Sequence, residues 1–221
     1  SGQTVLITGE AGIGKSRLVF EFIERSALRE PPLVFQCLED HGSEPLHPWI
    51  NYMRHAAQLL PNDSAEERRR KVGDYFDRSF PDSGWLRPFV VSLVAQGGGD
   101  LAAQDDANPA HKLDALRAAI TDHIVGLRNN TARIIVLEDI HWIDPSSEEV
   151  LTALIERAAG TQVLVLATCR QDKDFGNASP LVTNLSLDRL STVQAVKLAN
   201  NIVEAAVVTK SMLAHVVERS A

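Results

Sequence analysis

Thr4-Val5-Leu6-Ile7-Thr8 is a continuous apolar-rich run that closes on a glycine-rich segment, and Leu18, Val19, Phe22 and Ile23 then recur at helical spacing. The pattern predicts strand, loop, helix. Three later runs, Leu33 to Cys37, Ile134 to Leu137 and Val163 to Ala167, are apolar at consecutive positions, as strands covered on both faces are. A weaker run covers Val182 to Leu187. Helical patterns separate the later runs, with Leu113, Leu116, Ile120, Ile124 and Leu127 before the strand at 134 and Val150, Leu151, Leu154 and Ile155 after it. This alternation implies an α/β fold, a parallel sheet flanked by helices.

Between the second and third strands lie roughly 95 residues, far too many for a bare connection. Helices are predicted there over Pro48 to Leu60, Ser64 to Phe80 and Trp85 to Ala95, followed by a break at Gly97-Gly98-Gly99 and a long helix at 111–128. The segment 45–110 is thus a helical insertion, expected to sit over or beside the glycine loop as a lid or partner surface. Residues 190–221 read as the start of a C-terminal helical region. Met212 to Arg219 stops without a glycine or proline signal, so 1–221 is expected to be a single-domain fragment of a longer polypeptide.

Composition changes this picture little. Hydrophobic residues make up 44% and charged residues 23% of the 221, enough apolar material for a sizeable core. No apolar run approaches a membrane span and no basic-then-apolar leader opens the chain, so a cytoplasmic location without a membrane partner is expected. The net charge of −7 repels a phosphate backbone, and no direct nucleic-acid binding is expected. The basic cluster Arg68-Arg69-Arg70-Lys71 follows Glu66-Glu67 and reads as a solvated helix face. Cys37 and Cys169 lack a CxxC partner and should be reduced and buried. The histidines show no metal spacing, and no structural zinc is expected.

The chemistry is concentrated in Gly9-Glu10-Ala11-Gly12-Ile13-Gly14-Lys15-Ser16-Arg17, a full match to G-x-x-x-x-G-K-S between a buried strand and an amphipathic helix. Glycines let backbone N–H groups curl around phosphate oxygens, and the helix presents its positive end to the same anion. Lys15 is expected to reach the β- and γ-phosphates of ATP and Ser16 to ligate Mg2+. Arg133 to Asp139 supplies a second half, an apolar strand delivering two carboxylates to the carboxyl edge of the sheet, where ligands bind in such folds. Glu138 is the candidate magnesium ligand and Asp139 the candidate general base. Thr168 and Arg170, ending the fourth strand, are placed to sense or neutralise the γ-phosphate. Asp144 with Pro145 reads as helix-start chemistry, and His141 and Trp142 as packing or positioning of the catalytic edge.

Three segments together, Leu6 to Leu18, Val136 to Ser146 and Ala167 to Arg170, resemble the signal-transduction ATPases with numerous domains, an AAA-like branch of the P-loop proteins. Cys37 to Trp49 and Leu185 to Ser191 also look like that group, most of all the ATPase modules fused to class III adenylate or guanylate cyclases and in large LuxR-type regulators. The resemblance implies a five-stranded sheet in the order 5-1-4-3-2 and slow ATP hydrolysis used as a conformational switch. It casts Lys15 and Ser16 in the phosphate-loop roles, Glu138 as magnesium ligand, Asp139 as catalytic acid and Arg170 as the γ-phosphate arginine. It further implies ATP and ADP as ligands, flanking cyclase, tetratricopeptide-like or DNA-binding domains, and ATP-dependent self-association. Glu138 departs from the aspartate also common there, and the Gly-x-Pro element expected near adenine is absent. Rival readings are a non-hydrolysing, nucleotide-dependent scaffold and a DNA-associated AAA-type ATPase. A GTPase is disfavoured because no Asn-Lys-x-Asp motif occurs.

Overall fold

The computed structural model describes residues 2–26, 30–95, 109–126, 133–170, 179–191 and 193–194. The chain divides into two units, 1–186 and 187–221. The break expected at Gly97-Gly98-Gly99, the end of the long helix beyond 126 and the helix at 212–219 lie outside the described residues. In the second unit the Gln194 amide donates to Ser191 Oγ at 3.3 Å, a cap at the start of a turn.

In the first unit, β1 (Gln3–Thr8), β2 (Leu33–Gln36), β3 (Arg133–Glu138), β4 (Val163–Cys169) and β5 (Val182–Ser186) form one sheet in the order β2-β3-β4-β1-β5. Every pairing is parallel. This is the order 5-1-4-3-2 read from the opposite edge. The register aligns Leu6, Ala167, Leu137 and Phe35 in one row across the sheet. All four are 2% exposed or less, and they floor the main core.

That face is covered by α2 (His47–Ala56), α4 (Arg87–Ala95), α5 (Pro109–Gly126) and α6 (Pro145–Ala158), with α3 (Ala65–Ser79) packed on α4. Trp49 of α2 is 1% exposed and its ring meets Phe35 at 4.1 Å, so the insertion shares the core of the sheet. The neighbouring row, Val5, Leu166, Val136 and Val34, faces the other way. α1 (Lys15–Arg25) lies against β4 and buries Val19 there. Leu18 and Phe22, apolar positions of the predicted stripe, are 39% and 45% exposed, because α1 buries a narrower face than its apolar pattern spans.

Helix boundaries follow local chemistry. α3 starts at a capping box, Ser64 Oγ accepting from the Glu67 amide while the Glu67 carboxylate accepts from the Ser64 amide. α4 begins at Arg87, not Trp85, because Pro88 lacks an N–H and fits only the first helical turn; a 3-10 segment, Pro81–Leu86, precedes it. α2 stops at Ala56, short of Leu60, where Gln58 turns to φ 55° and the Leu59 amide folds back onto the Arg54 carbonyl. The basic cluster lies on α3, with Lys71 paired to Asp63 at 2.7 Å and Arg70 to Asp74 at 3.2 Å. Cys37 and Cys169 are buried and form no disulfide. Among the described residues no helix is long and apolar enough to cross a membrane.

Candidate functional site

Strand β1 delivers the loop Gly9 to Gly14 to the carboxyl edge of the sheet, beside β4. Gly12 and Gly14 take φ of 75° and 108°, conformations that favour glycine. Gly14 is the N-cap of α1 and no side chain caps that helix, so its first amides point into the loop with the positive end of the helix dipole behind them. Glu10, Ala11, Gly12, Ser16 and Arg17 are exposed along the loop, and Ile13 is half-buried. Lys15 is 8% exposed, and its ammonium donates to the carbonyls of Gly9 and Glu10, each at 2.9 Å. An ammonium has three N–H groups, so one remains to be aimed at an anion held in the loop. Arg17 is turned along α1, paired with Glu21 and lying over the Phe20 ring at 5.7 Å.

The second wall comes from β3. Its apolar residues anchor it in the sheet, and the strand ends on half-buried Glu138. Ser16 Oγ donates to Glu138 Oε2 across 3.5 Å, so the first turn of α1 and the end of β3 meet although 122 positions separate them. Burial pushes the Glu138 carboxyl above its ordinary value; the Asp139 charge adds to this, and the Ser16 hydroxyl opposes it. A hydroxyl and a carboxylate oxygen are hard donors, the set a magnesium ion takes, and a cation there would offset the crowding of two carboxylates. The residues present fit the ion.

Asp139 turns the chain sharply, at φ 56° and ψ 45°. Its amide donates to Thr168 Oγ1 at 2.9 Å, and its side chain is 40% exposed. Thr168 is fully buried, so the structure places its hydroxyl under the Asp139 turn. His141 Nδ1 lies 3.9 Å from Asp139 Oδ1. Arg170 is exposed at the end of β4, with its guanidinium over the Trp142 ring at 5.6 Å. Asp144 caps α6 by accepting from the Ser147 amide at 2.9 Å, and the same Oδ1 accepts from the Leu46 amide at 2.9 Å. The sequence reading identified that cap and missed the bond to Leu46, as it missed the Arg170–Trp142 pair; both join segments far apart in the chain, and no local pattern marks them.

The model of the AAA ATPase domain family matches residues 1–166, three quarters of the chain. The chain belongs to the AAA ATPase domain family. Membership implies that this AAA ATPase domain binds nucleotide. An uncharacterized protein of Rhizobium meliloti (strain 1021) is 32% identical over 176 residues, covering 76% of this chain and 16% of its own length. Among solved structures, a Signal Transduction ATPase with Numerous Domains protein with a tetratricopeptide repeat sensor from Pyrococcus horikoshii aligns over 98% of this chain and 25% of its own, at 17% identity and a TM-score of 0.43. The Drosophila ORC bound to DNA aligns over 91% of this chain and 43% of its own, at 13% identity and a TM-score of 0.42. The AAA ATPase domain described here thus spans a minor part of each of these relatives.

Proposed function

We propose that this domain binds ATP with magnesium and hydrolyses it slowly, as the regulatory switch of a larger multidomain signalling protein of the type with numerous domains. The observation that carries the reading is the meeting of Ser16 Oγ with Glu138 Oε2 at the mouth of a lysine-bearing glycine loop. The amides at the start of α1 and the Lys15 ammonium hold the phosphate chain, and Arg17 lies beside it on the first turn of α1. Ser16 and Glu138 hold magnesium, which supplies charge neutralisation on the phosphate oxygens when bound. Asp139 accepts the proton of the attacking water, and Thr168, through the Asp139 amide, fixes where that carboxylate stands. Arg170, held over Trp142, reaches for the γ-phosphate.

The local pairing of loop and carboxylates supports turnover, whereas the role as a signalling switch rests on the motif resemblance of Leu6 to Leu18, Val136 to Ser146 and Ala167 to Arg170. Cyclase or transcription-regulator neighbours, and self-association on ATP, belong to the same proposal.

Calorimetric titration of the protein with Mg·ATP, with GTP as competitor, tests the reading. Binding of one ATP that GTP does not displace, lost in Lys15→Ala, is the expected result. Absence of binding to the unaltered protein sinks it. Binding followed by no phosphate release, even over hours, replaces the hydrolysing switch by a nucleotide-dependent scaffold.

A further inference from the structure

Beyond β2 the chain runs through three successive tight turns before α2 is established. The His41 amide donates to the Leu38 carbonyl at 3.1 Å, the Glu44 amide to the His41 carbonyl at 3.0 Å, and the His47 amide to the Glu44 carbonyl at 3.3 Å. Turns closed by bonds of this kind advance three residues at a time, so positions 41, 44 and 47 stack on one side. The sequence at those positions is His, Glu, His. One ligand atom from each side chain lies within 4.8 Å of the other two.

The surroundings leave a buried ring nitrogen of this cluster without a hydrogen-bond partner among the described residues. His47 is 6% exposed and its Nδ1 has no hydrogen-bond partner among the described residues. His41 Nδ1, also shut off from solvent, lies 3.0 Å from Glu44 Oε1 without hydrogen-bond geometry. The two imidazoles stack at 4.1 Å and 3°. Burying a ring nitrogen without a partner is costly, and a fold ordinarily avoids it. A metal ion placed between the three side chains satisfies each of these atoms at once.

We propose that His41, Glu44 and His47 form a site for a divalent transition-metal ion, best matched to zinc, separate from the magnesium position at Ser16 and Glu138. Two imidazoles and one carboxylate are a zinc donor set, whereas magnesium takes oxygen ligands. Tetrahedral zinc with bonds of about 2.0 Å needs its donors about 3.3 Å apart and lies in the plane of each imidazole it binds, so the ion would turn at least one of the two rings out of the present stack. Glu44 and His41 are part-exposed, which gives the ion an entry path and leaves water to complete its coordination.

The place of the site gives the ion a consequence. Leu46, between two of the ligands, donates its amide to Asp144 Oδ1, and a Cβ on Gly42 would stand 3.4 Å from the Trp142 carbonyl. Trp142 in turn carries Arg170. An ion fixing the 41–47 turns therefore stiffens the segment that follows Asp139.

The test is a zinc titration of the whole protein, stripped with a chelator and followed by competition with a chromophoric zinc indicator, in the absence of nucleotide. One zinc per chain is expected, not displaced by millimolar magnesium, with a melting temperature raised by the ion. His41→Ala and Glu44→Gln, both at part-exposed positions, should each weaken binding by more than about tenfold, while His55→Ala leaves it unchanged. Cobalt in place of zinc should give the intense visible bands of a low-symmetry four-coordinate site. No stoichiometric zinc on the unaltered protein overturns the proposal, and so does zinc bound equally well by His41→Ala and Glu44→Gln. Because nucleotide is absent, neither result bears on the phosphate loop.

Discussion

At Gly14 the backbone takes φ 108° and ψ 17°, and a Cβ built there meets nothing within 4 Å. The requirement for glycine is therefore one of backbone conformation and not of space. Gly14→Ala should lower stability by about 1–2 kcal/mol in urea unfolding, the cost of a left-handed residue bearing a Cβ. Its effect on Mg·ATP binding should be larger than that loss, because relaxing φ at 14 re-aims the amides that open α1; an ATP affinity unchanged within error would contradict the role given to the loop. The glycines, Lys15 and Ser16 were legible because the physics of that loop is contained in eight consecutive residues. The partner of Arg170 was not: the sequence places an arginine after β4, but only the packing of β4 beside β3 brings Trp142 under it. His41, Glu44 and His47 were passed over for a related reason. Their three-residue spacing becomes a common face only if the backbone turns every three residues, and a loop sequence does not announce that.

Among the elements, the connection from β3 to α6 carries the most consequence per residue. It leaves the strand at Glu138, reverses at Asp139, passes through a 3-10 turn at Ile140–Trp142 and enters α6 at a capped, proline-led first turn. Asp144, 1% exposed, closes that segment on one side and fastens the start of α2 on the other. Asp144→Ala should therefore cost more than an ordinary cap, about 2–4 kcal/mol, since it removes the cap and leaves the buried Leu46 amide without its acceptor. Asp144→Asn, which keeps an oxygen at the same place, should recover most of that. Equilibrium unfolding of both variants decides the matter, and equal losses would refute the shared-acceptor account. The apolar runs and capping signals placed the helices within a few residues because caps act locally. The ends that moved, at Arg87 and Ala56, moved where a proline or a positive φ overrode an apolar stripe that continued past it.

For the molecule as a whole, the insertion and the sheet share one core, which runs from Leu6 through Trp49 and Phe76 to Leu154. His123 of α5 sits at the edge of that core with its ring 4.7 Å from Phe80. Burial holds its pKa below the ordinary 6.5, Arg133 lowers it further, and a hydrogen bond to the Ser79 backbone opposes both. The folded state thus keeps this ring neutral to a lower pH than the unfolded chain does. The sign follows: the contribution of His123 is fully present above pH 6.5 and is lost as the pH falls below it toward the folded-state value, because the unfolded chain then binds the extra proton. His123→Gln should give a shallower decline of urea midpoint between pH 7 and 5 than the unaltered protein. An unchanged slope would mean that the ring takes up its proton in the fold as it does in the unfolded chain, and would refute the account.

The sequence by itself determined the strands, their parallel pairing, the order 5-1-4-3-2 through the motif resemblance, and the strand, glycine loop and helix around Gly9 to Ser16, since each depends on neighbours in the chain or on a single recurrent motif. The tertiary structure decided which face of each element is buried, as α1 illustrates with Val19 covered and Phe22 exposed. It also decided the distances on which chemistry turns. Ser16 meets Glu138, Asp144 meets Leu46, and His41 stacks on His47 because the sheet register and the three-residue turns put them there. Periodicity records how much of a residue is apolar and how often it recurs; it carries no information about which distant segment will supply the other half of a site.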